Sequence, residues 1–139
     1  MEGFRFVNPQ RVEFRDLDGL GHVNNAVYLS YVESARLAYM QEVLGPLELE
    51  ELGIVAEARI AFRSAAILGE ELTVGTRVAE IGGKSLRFEF EIHGFDGRLV
   101  ADGSTVHVAF DYSTRTSVPV PDDWRRRIDA FETRSLATT

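Results

Sequence analysis

The chain has no cysteine, so disulfides, thiolate metal sites and a cysteine nucleophile are all excluded, and stability must come from the core or from association. Lysine is nearly as scarce. Lys84 is the single one among 15 basic residues, which leaves contacts to anions mainly to the planar arginine fork. No stretch approaches the roughly 18 consecutive apolar residues of a membrane span, and MEGFRFVNPQ lacks the basic flank and apolar run of a secretory leader. Positive charge is also in short supply. With a net charge of −7, most of the surface repels a phosphate backbone, so neither nucleic acid nor a membrane is an expected partner. A cytoplasmic location is expected.

The 139 residues are 45% hydrophobic and 27% charged, the balance of one ordinary globular domain, which is expected to span 1–139. Phe4, Phe6, Val12 and Phe14 alternate with polar residues over 4–15, a strand expected to kink or bulge near Asn8-Pro9. From Asn24 to Leu44 apolar residues recur at helical spacing until Gly45-Pro46 stops them. Strands are then expected over about 54–67, 71–81, 84–95 and 98–111. Turns at Gly69-Glu70, Gly82-Gly83 and Asp96-Gly97 join them into an antiparallel meander, the last two being dipeptides that tolerate positive φ. Leu86, Phe88, Phe90 and Ile92 share one face, and Arg87, Glu89, Glu91 and His93 the other. Val106, Val108 and Phe110 are read as apolar against Thr105 and His107 in the same way. The single long helix should cover the apolar face, giving an α+β domain. A tail over about 120–139 holds DDWRRRIDAFETRSL, a candidate short helix, and its last few residues are expected to fray.

Chemistry concentrates in VEFRDLDGLGHVNNAVYLSYVESAR, residues 12–36. Asp18 stands a few residues before a helix N-terminus whose unpaired N–H groups can polarise a carbonyl. Read from the residues alone, Asp18 is first a turn residue, since Asp before Gly is a common loop dipeptide. Asn24 or Asn25 is the expected cap. Glu33 and Arg36 lie at ion-pair spacing. Tyr28 and Tyr31 read as core. Arg59, Arg77 and Arg87 with Glu89 and Glu91 read as cross-strand pairs on a face that also suits packing of one dimer on another.

The order of elements and the segment DLDGLGHVNNAVYLSYVESAR resemble the hotdog-fold acyl-CoA thioesterases of the 4-hydroxybenzoyl-CoA thioesterase family. The GEELTV strand start, the GGKSLRFEFEI hairpin and the Val-x-Phe-Asp before a proline-containing tail extend the likeness over nearly the whole chain. The resemblance implies a hotdog fold, with a long central helix packed on a five-stranded antiparallel sheet. It makes Asp18 the catalytic carboxylate, as base or nucleophile, and maps the main oxyanion donor onto the backbone of Asn25. It places His22 and Tyr28 near the substrate, and Arg63, Lys84 and Ser85 toward coenzyme A, which is part of the substrate rather than a cofactor. No cofactor and no metal are expected. An acyl-CoA or acyl-carrier thioester is the expected partner, in a homodimer or homotetramer whose pocket lies between subunits. Two alternatives stay open: a hotdog dehydratase or hydratase using His22, and a non-catalytic acyl-CoA or acyl-carrier binding protein.

Overall fold

A computed structural model describes residues 1–133. Strand β1 (Phe6–Arg11) leads through a 3-10 turn, Phe14–Asp16, to helix α1 (Asn25–Leu44). Asn24 stays extended and its Oδ1 accepts the Ala26 N–H at 2.9 Å, which satisfies one of the orphan donors of the first turn. At the far end Gly45 takes φ 87°, a conformation that glycine adopts without steric cost. Two columns of the helix are buried. Tyr28, Val32, Arg36 and Met40 follow one another at i+4, with Tyr31, Ala35, Tyr39 and Val43 beside them.

Strands β2 (Ile54–Phe62), β3 (Glu71–Ile81), β4 (Ser85–His93) and β5 (Leu99–Val108) join β1 in one antiparallel sheet of order β1-β3-β4-β5-β2. Helix α1 lies over β3 and β1, the helix-on-sheet arrangement of the hotdog fold. It leaves the edge strand β2 largely uncovered, with Val55 41% and Phe62 45% exposed. Beyond β5 come a small hairpin, β6 (Phe110–Asp111) with β7 (Thr116–Ser117), and a second helix, α2 (Asp122–Glu132). Helix α2 buries Trp124 and Ile128 beside Tyr39, Met40 and Phe88. The fraying expected of the last residues falls on 134–139, outside the described residues. No helix of the described residues is long and apolar enough to cross a membrane.

Several local expectations are corrected. Strand β1 is shorter than 4–15 and unkinked: its register runs unbroken from Phe6 opposite Thr76 to Arg11 opposite Glu71. Pro9 fits because β1 is an edge strand. Strand β2 ends at Phe62, not 67, since the N–H groups of Arg63 and Ser64 both turn to the Val100 carbonyl. Neither Gly82 nor Gly83 has positive φ, whereas Gly97 does, at 86°. The Gly82 turn is held instead by its N–H to the Ser85 carbonyl, 2.7 Å, and by Arg125 of α2 donating to the carbonyls of Gly82 and Gly83.

The largest correction concerns β5. Thr105 sits opposite Phe88 and His107 opposite Leu86, and directly opposed residues share a face. Thr105 and His107 therefore point inward, both 3% exposed, while Val106 joins Arg87 on the outer face. A register shift between Ile92 and His93 buries two successive residues, Val100 and Ala101, and so reverses the simple alternation.

Candidate active site

The turn before α1 is a small loop held by its own hydrogen bonds. Leu17 bridges to Val23 and His22 to Ile67, the Asp18 N–H reaches the His22 carbonyl at 2.8 Å, and the Val23 N–H reaches the Ala66 carbonyl at 3.0 Å. Within this loop Asp18 Oδ1 accepts from the N–H groups of Leu20, 2.8 Å, and His22, 3.3 Å. This is the turn role that its position before glycine suggested. Its Oδ2 has no hydrogen bond among the described residues, so one carboxylate oxygen is held and the other is open. Asp16 is used differently: its Oδ2 accepts from the Tyr31 hydroxyl at 2.6 Å and the Glu13 N–H at 2.9 Å.

Asp18, His22 and Val23 form one wall of a cleft of about 260 Å³, Asn25 and Tyr28 of α1 another, and residues 62–65 the third. In the first turn of α1 the Ala26 N–H goes to Asn24 Oδ1 and the Val27 N–H to the Asn24 carbonyl. The Asn25 N–H meets no acceptor among the described residues, so it is the donor left over at the positive end of the helix. Tyr28 is 2% exposed. Its hydroxyl accepts the Ala66 N–H at 3.2 Å and its ring packs on Phe62 at 5.8 Å. Burial pushes its phenol above the usual range, against the opposing effect of the Ala66 bond.

The third wall belongs to the loop 63–70, which a buried carboxylate fixes. The Glu70 side chain is 2% exposed and meets Arg98 at 2.9 Å; it also accepts the N–H groups of Ile67 and Phe95, each at 3.3 Å. Arg98 in turn donates to the Ala65 carbonyl at 2.7 Å. Burial alone raises a carboxylic acid's pKa, but the guanidinium and the two N–H groups outweigh it and hold Glu70 below the usual range.

Asp18, His22, Asn25, Tyr28 and Arg63 thus line one cleft. Arg63 also pairs with Asp102 at 3.1 Å. Lys84 and Ser85 do not join them within one chain: they lie at the opposite end of β4, whose length from Ser85 to His93 is about 25 Å. Phe62, Ser64 and Ala65 were not singled out by the sequence, because RSAA carries no glycine or proline to mark where strand pairing stops. Arg36 was read as half of an ion pair with Glu33, and that pair forms at 3.9 Å, but its burial was not foreseen: the Arg36 side chain is only 6% exposed. An arginine in the same i+4 column as Tyr28 and Val32 was the available signal.

The model of the thioesterase-like superfamily matches residues 12–128. The acyl-CoA thioesterase YbgC of Haemophilus influenzae is 35% identical over 114 residues, 77% of this chain and 79% of its own length. The long-chain acyl-CoA thioesterase FadM of Escherichia coli is 26% identical over 117 residues, 81% of this chain and 89% of its own. Among solved structures, a thioesterase from Thermus thermophilus complexed with coenzyme A and Zn superposes with a TM-score of 0.88 at 42% identity, over 98% of this chain and 100% of that one.

Proposed function

Because the chain belongs to the thioesterase-like superfamily, we propose that it is an acyl-CoA thioesterase, releasing a free carboxylic acid and CoA with Asp18 as the reacting carboxylate. The observation that carries this reading is the pairing of two unsatisfied groups on one cleft: the open Oδ2 of Asp18 and the acceptor-free N–H of Asn25. As a general base, Asp18 takes a proton from water as the oxygen attacks the thioester carbon; as a nucleophile, it forms a mixed anhydride that water then opens. Either way the carbonyl oxygen becomes an oxyanion, for which the Asn25 N–H at the positive helix end is the fitting donor. The thiolate of CoA leaves and takes up a proton. No cofactor enters, since coenzyme A is the carrier half of the substrate.

Assembly through β2 supports the same reading. The strand is paired on one side only and exposes apolar side chains, which favours pairing with a second copy. A two-fold axis through that edge reverses the partner sheet, so the Lys84-Ser85 hairpin of one copy approaches the Asp18 end of the other. Phosphate contacts from Lys84, Ser85 and Arg63 fit such a shared site. His22 is exposed on the same cleft and keeps a hydratase reading testable. Incubation of the purified protein with saturated and crotonyl-type acyl-CoAs, followed by a thiol reagent, should show CoA release from both without loss of the crotonyl double bond. The chain has no thiol to interfere. Hydration without thiol release would establish the His22 reading in its place, and saturable binding with neither product would leave a binding protein.

A further inference from the structure

The turn that carries Asp18 has two roots, and a tyrosine of α1 holds each of them. At the exit the Val23 N–H donates to the Ala66 carbonyl at 3.0 Å, and the Ala66 N–H donates in turn to the Tyr28 hydroxyl at 3.2 Å. At the entry Asp16 Oδ2 accepts from the Tyr31 hydroxyl at 2.6 Å and from the Glu13 N–H at 2.9 Å. The roots also meet each other, since the Asp16 carbonyl accepts the Asn24 N–H at 2.9 Å and Leu17 bridges to Val23. The two tyrosine rings pack edge to face with centroids 6.1 Å apart.

The Tyr31 bond is the strongest of these ties. Its 2.6 Å length is that of a hydroxyl donating to a charged carboxylate, and Tyr31 is buried. Burial, followed by the Asp16 bond itself, pushes the phenol above its ordinary value, so the hydroxyl keeps its proton and remains the donor. Tyr31 is about two turns into α1. Helical side chains lean toward the N-terminus, which is how its hydroxyl reaches the residue bonded to the Asn24 cap. Neither Asp16 nor Tyr31 lines the cleft of Asp18; both border a separate groove with Gln10, Ser30 and Ser34. Any effect they have on a substrate in that cleft is therefore indirect. Their hydrogen bond joins residues 15 apart in sequence, and the segment it closes contains both Asp18 and Asn25.

We propose that Tyr31 and Asp16 are positioning residues for the thioester reaction, their hydrogen bond setting the Asp18 carboxylate against the Asn25 N–H and so governing kcat rather than substrate binding. The inference rests on the thioester-hydrolase reading above, and deepens it by naming what holds the two reacting groups in register. Without the bond the entry root is free to pivot about the exit root, which Tyr28 and Ala66 still hold. A displacement of about 1 Å between reacting groups costs about 100-fold in rate.

The test is steady-state CoA release from octanoyl- and benzoyl-CoA, with thermal melts to place every assay well below the unfolding of each variant. Tyr31→Phe removes one hydroxyl and keeps the ring, and should lower kcat about 10- to 100-fold with KM within about twofold of the wild type. Asp16→Ala should do the same. Asp16→Asn keeps an oxygen that accepts both bonds, and should hold kcat within about threefold of the wild type, the neutral acceptor giving a weaker bond of the same geometry. Combining Tyr31→Phe with Asp16→Ala should slow the enzyme no further than Asp16→Ala alone, because both act through one bond. Where Asp16→Ala melts below the assay temperature, Tyr31→Phe and Asp16→Asn decide the outcome. A folded Tyr31→Phe protein with wild-type kcat, a change confined to KM, or an Asp16→Asn protein that loses as much kcat as Tyr31→Phe overturns the inference and leaves the thioesterase reading standing. A wild type that releases CoA from neither thioester overturns both.

Discussion

Asp18 uses its two oxygens differently. Oδ1 caps the turn through Leu20 and His22, while Oδ2 has no hydrogen bond among the described residues and is the oxygen the proposed reaction would use. Asparagine keeps the capping oxygen and loses only the charge and basicity, so it is the informative replacement. The sequence supplied the residue but not this division, because a single letter reports neither which oxygen is engaged nor that the Asn25 N–H is the unclaimed donor. His107 shows the opposite case, a residue whose burial the sequence hid. Its imidazole is lowered from 6.5 to about 4, mainly by burial. Between those two values the unfolded chain takes up a proton that the folded chain refuses, so stability falls on acidification across that window. The loss attributable to His107 is about 3 kcal/mol on going from neutral pH to pH 4. Urea melts at the two pH values should show this loss in the wild type and a clearly smaller one in His107→Gln; equal slopes would remove His107 as the cause.

The loop 63–70 is the least autonomous element of the site and depends on one ion pair. Arg98→Met leaves the Glu70 carboxylate, 2% exposed, without its cation and should destabilise the protein by about 3 kcal/mol. Since Arg98 also holds the Ala65 carbonyl, KM should rise as the wall beside Tyr28 loosens, even where the variant is still folded. Glu70 has a lowered pKa in the folded chain, so its contribution is complete above the ordinary carboxylate value and disappears as the pH falls through the folded one. A variant melting within a degree of the wild type would show the clamp to be dispensable. Helix α1 was fully legible, because its cap, its periodicity and its Gly-Pro stop all agree. Strands β3 and β4 were legible for a similar reason, with clean alternation in β4. The ends of β2 and the facing of β5 were not. The first lacks any turn residue, and the second depends on a bulge that only cross-strand pairing reveals.

At the scale of the molecule, one chain presents a cleft open along the β2 side and a strand edge with apolar side chains. Native mass spectrometry should find the protein as a dimer or tetramer, since the proposed pairing through β2 would cover that edge and bring the Lys84-Ser85 hairpin to the neighbouring site. A monomer that retains full activity would detach the anion contacts at Lys84 and Ser85 from catalysis. The fold class and the 12–36 segment were readable because the helix, the turn and the β3-β4-β5 meander are sequential and local. The meander expected from residue 54 is corrected, since β2 does not pair with β3 across the Gly69-Glu70 turn but crosses to the far edge beside β5. Assembly is an expectation of the family resemblance alone, as no local pattern in residues 54–62 separates an edge awaiting a partner from one that is simply exposed. Asp18 lines the same cleft as Asn25 at the start of α1, and the proposed reaction depends on its carboxylate. The most direct measurement is kcat for CoA release by Asp18→Asn, with the melting temperature recorded alongside. The expected result is a loss of about 100- to 10,000-fold at an unchanged melting temperature; a folded variant with wild-type kcat would contradict the assignment of Asp18 as the reacting group.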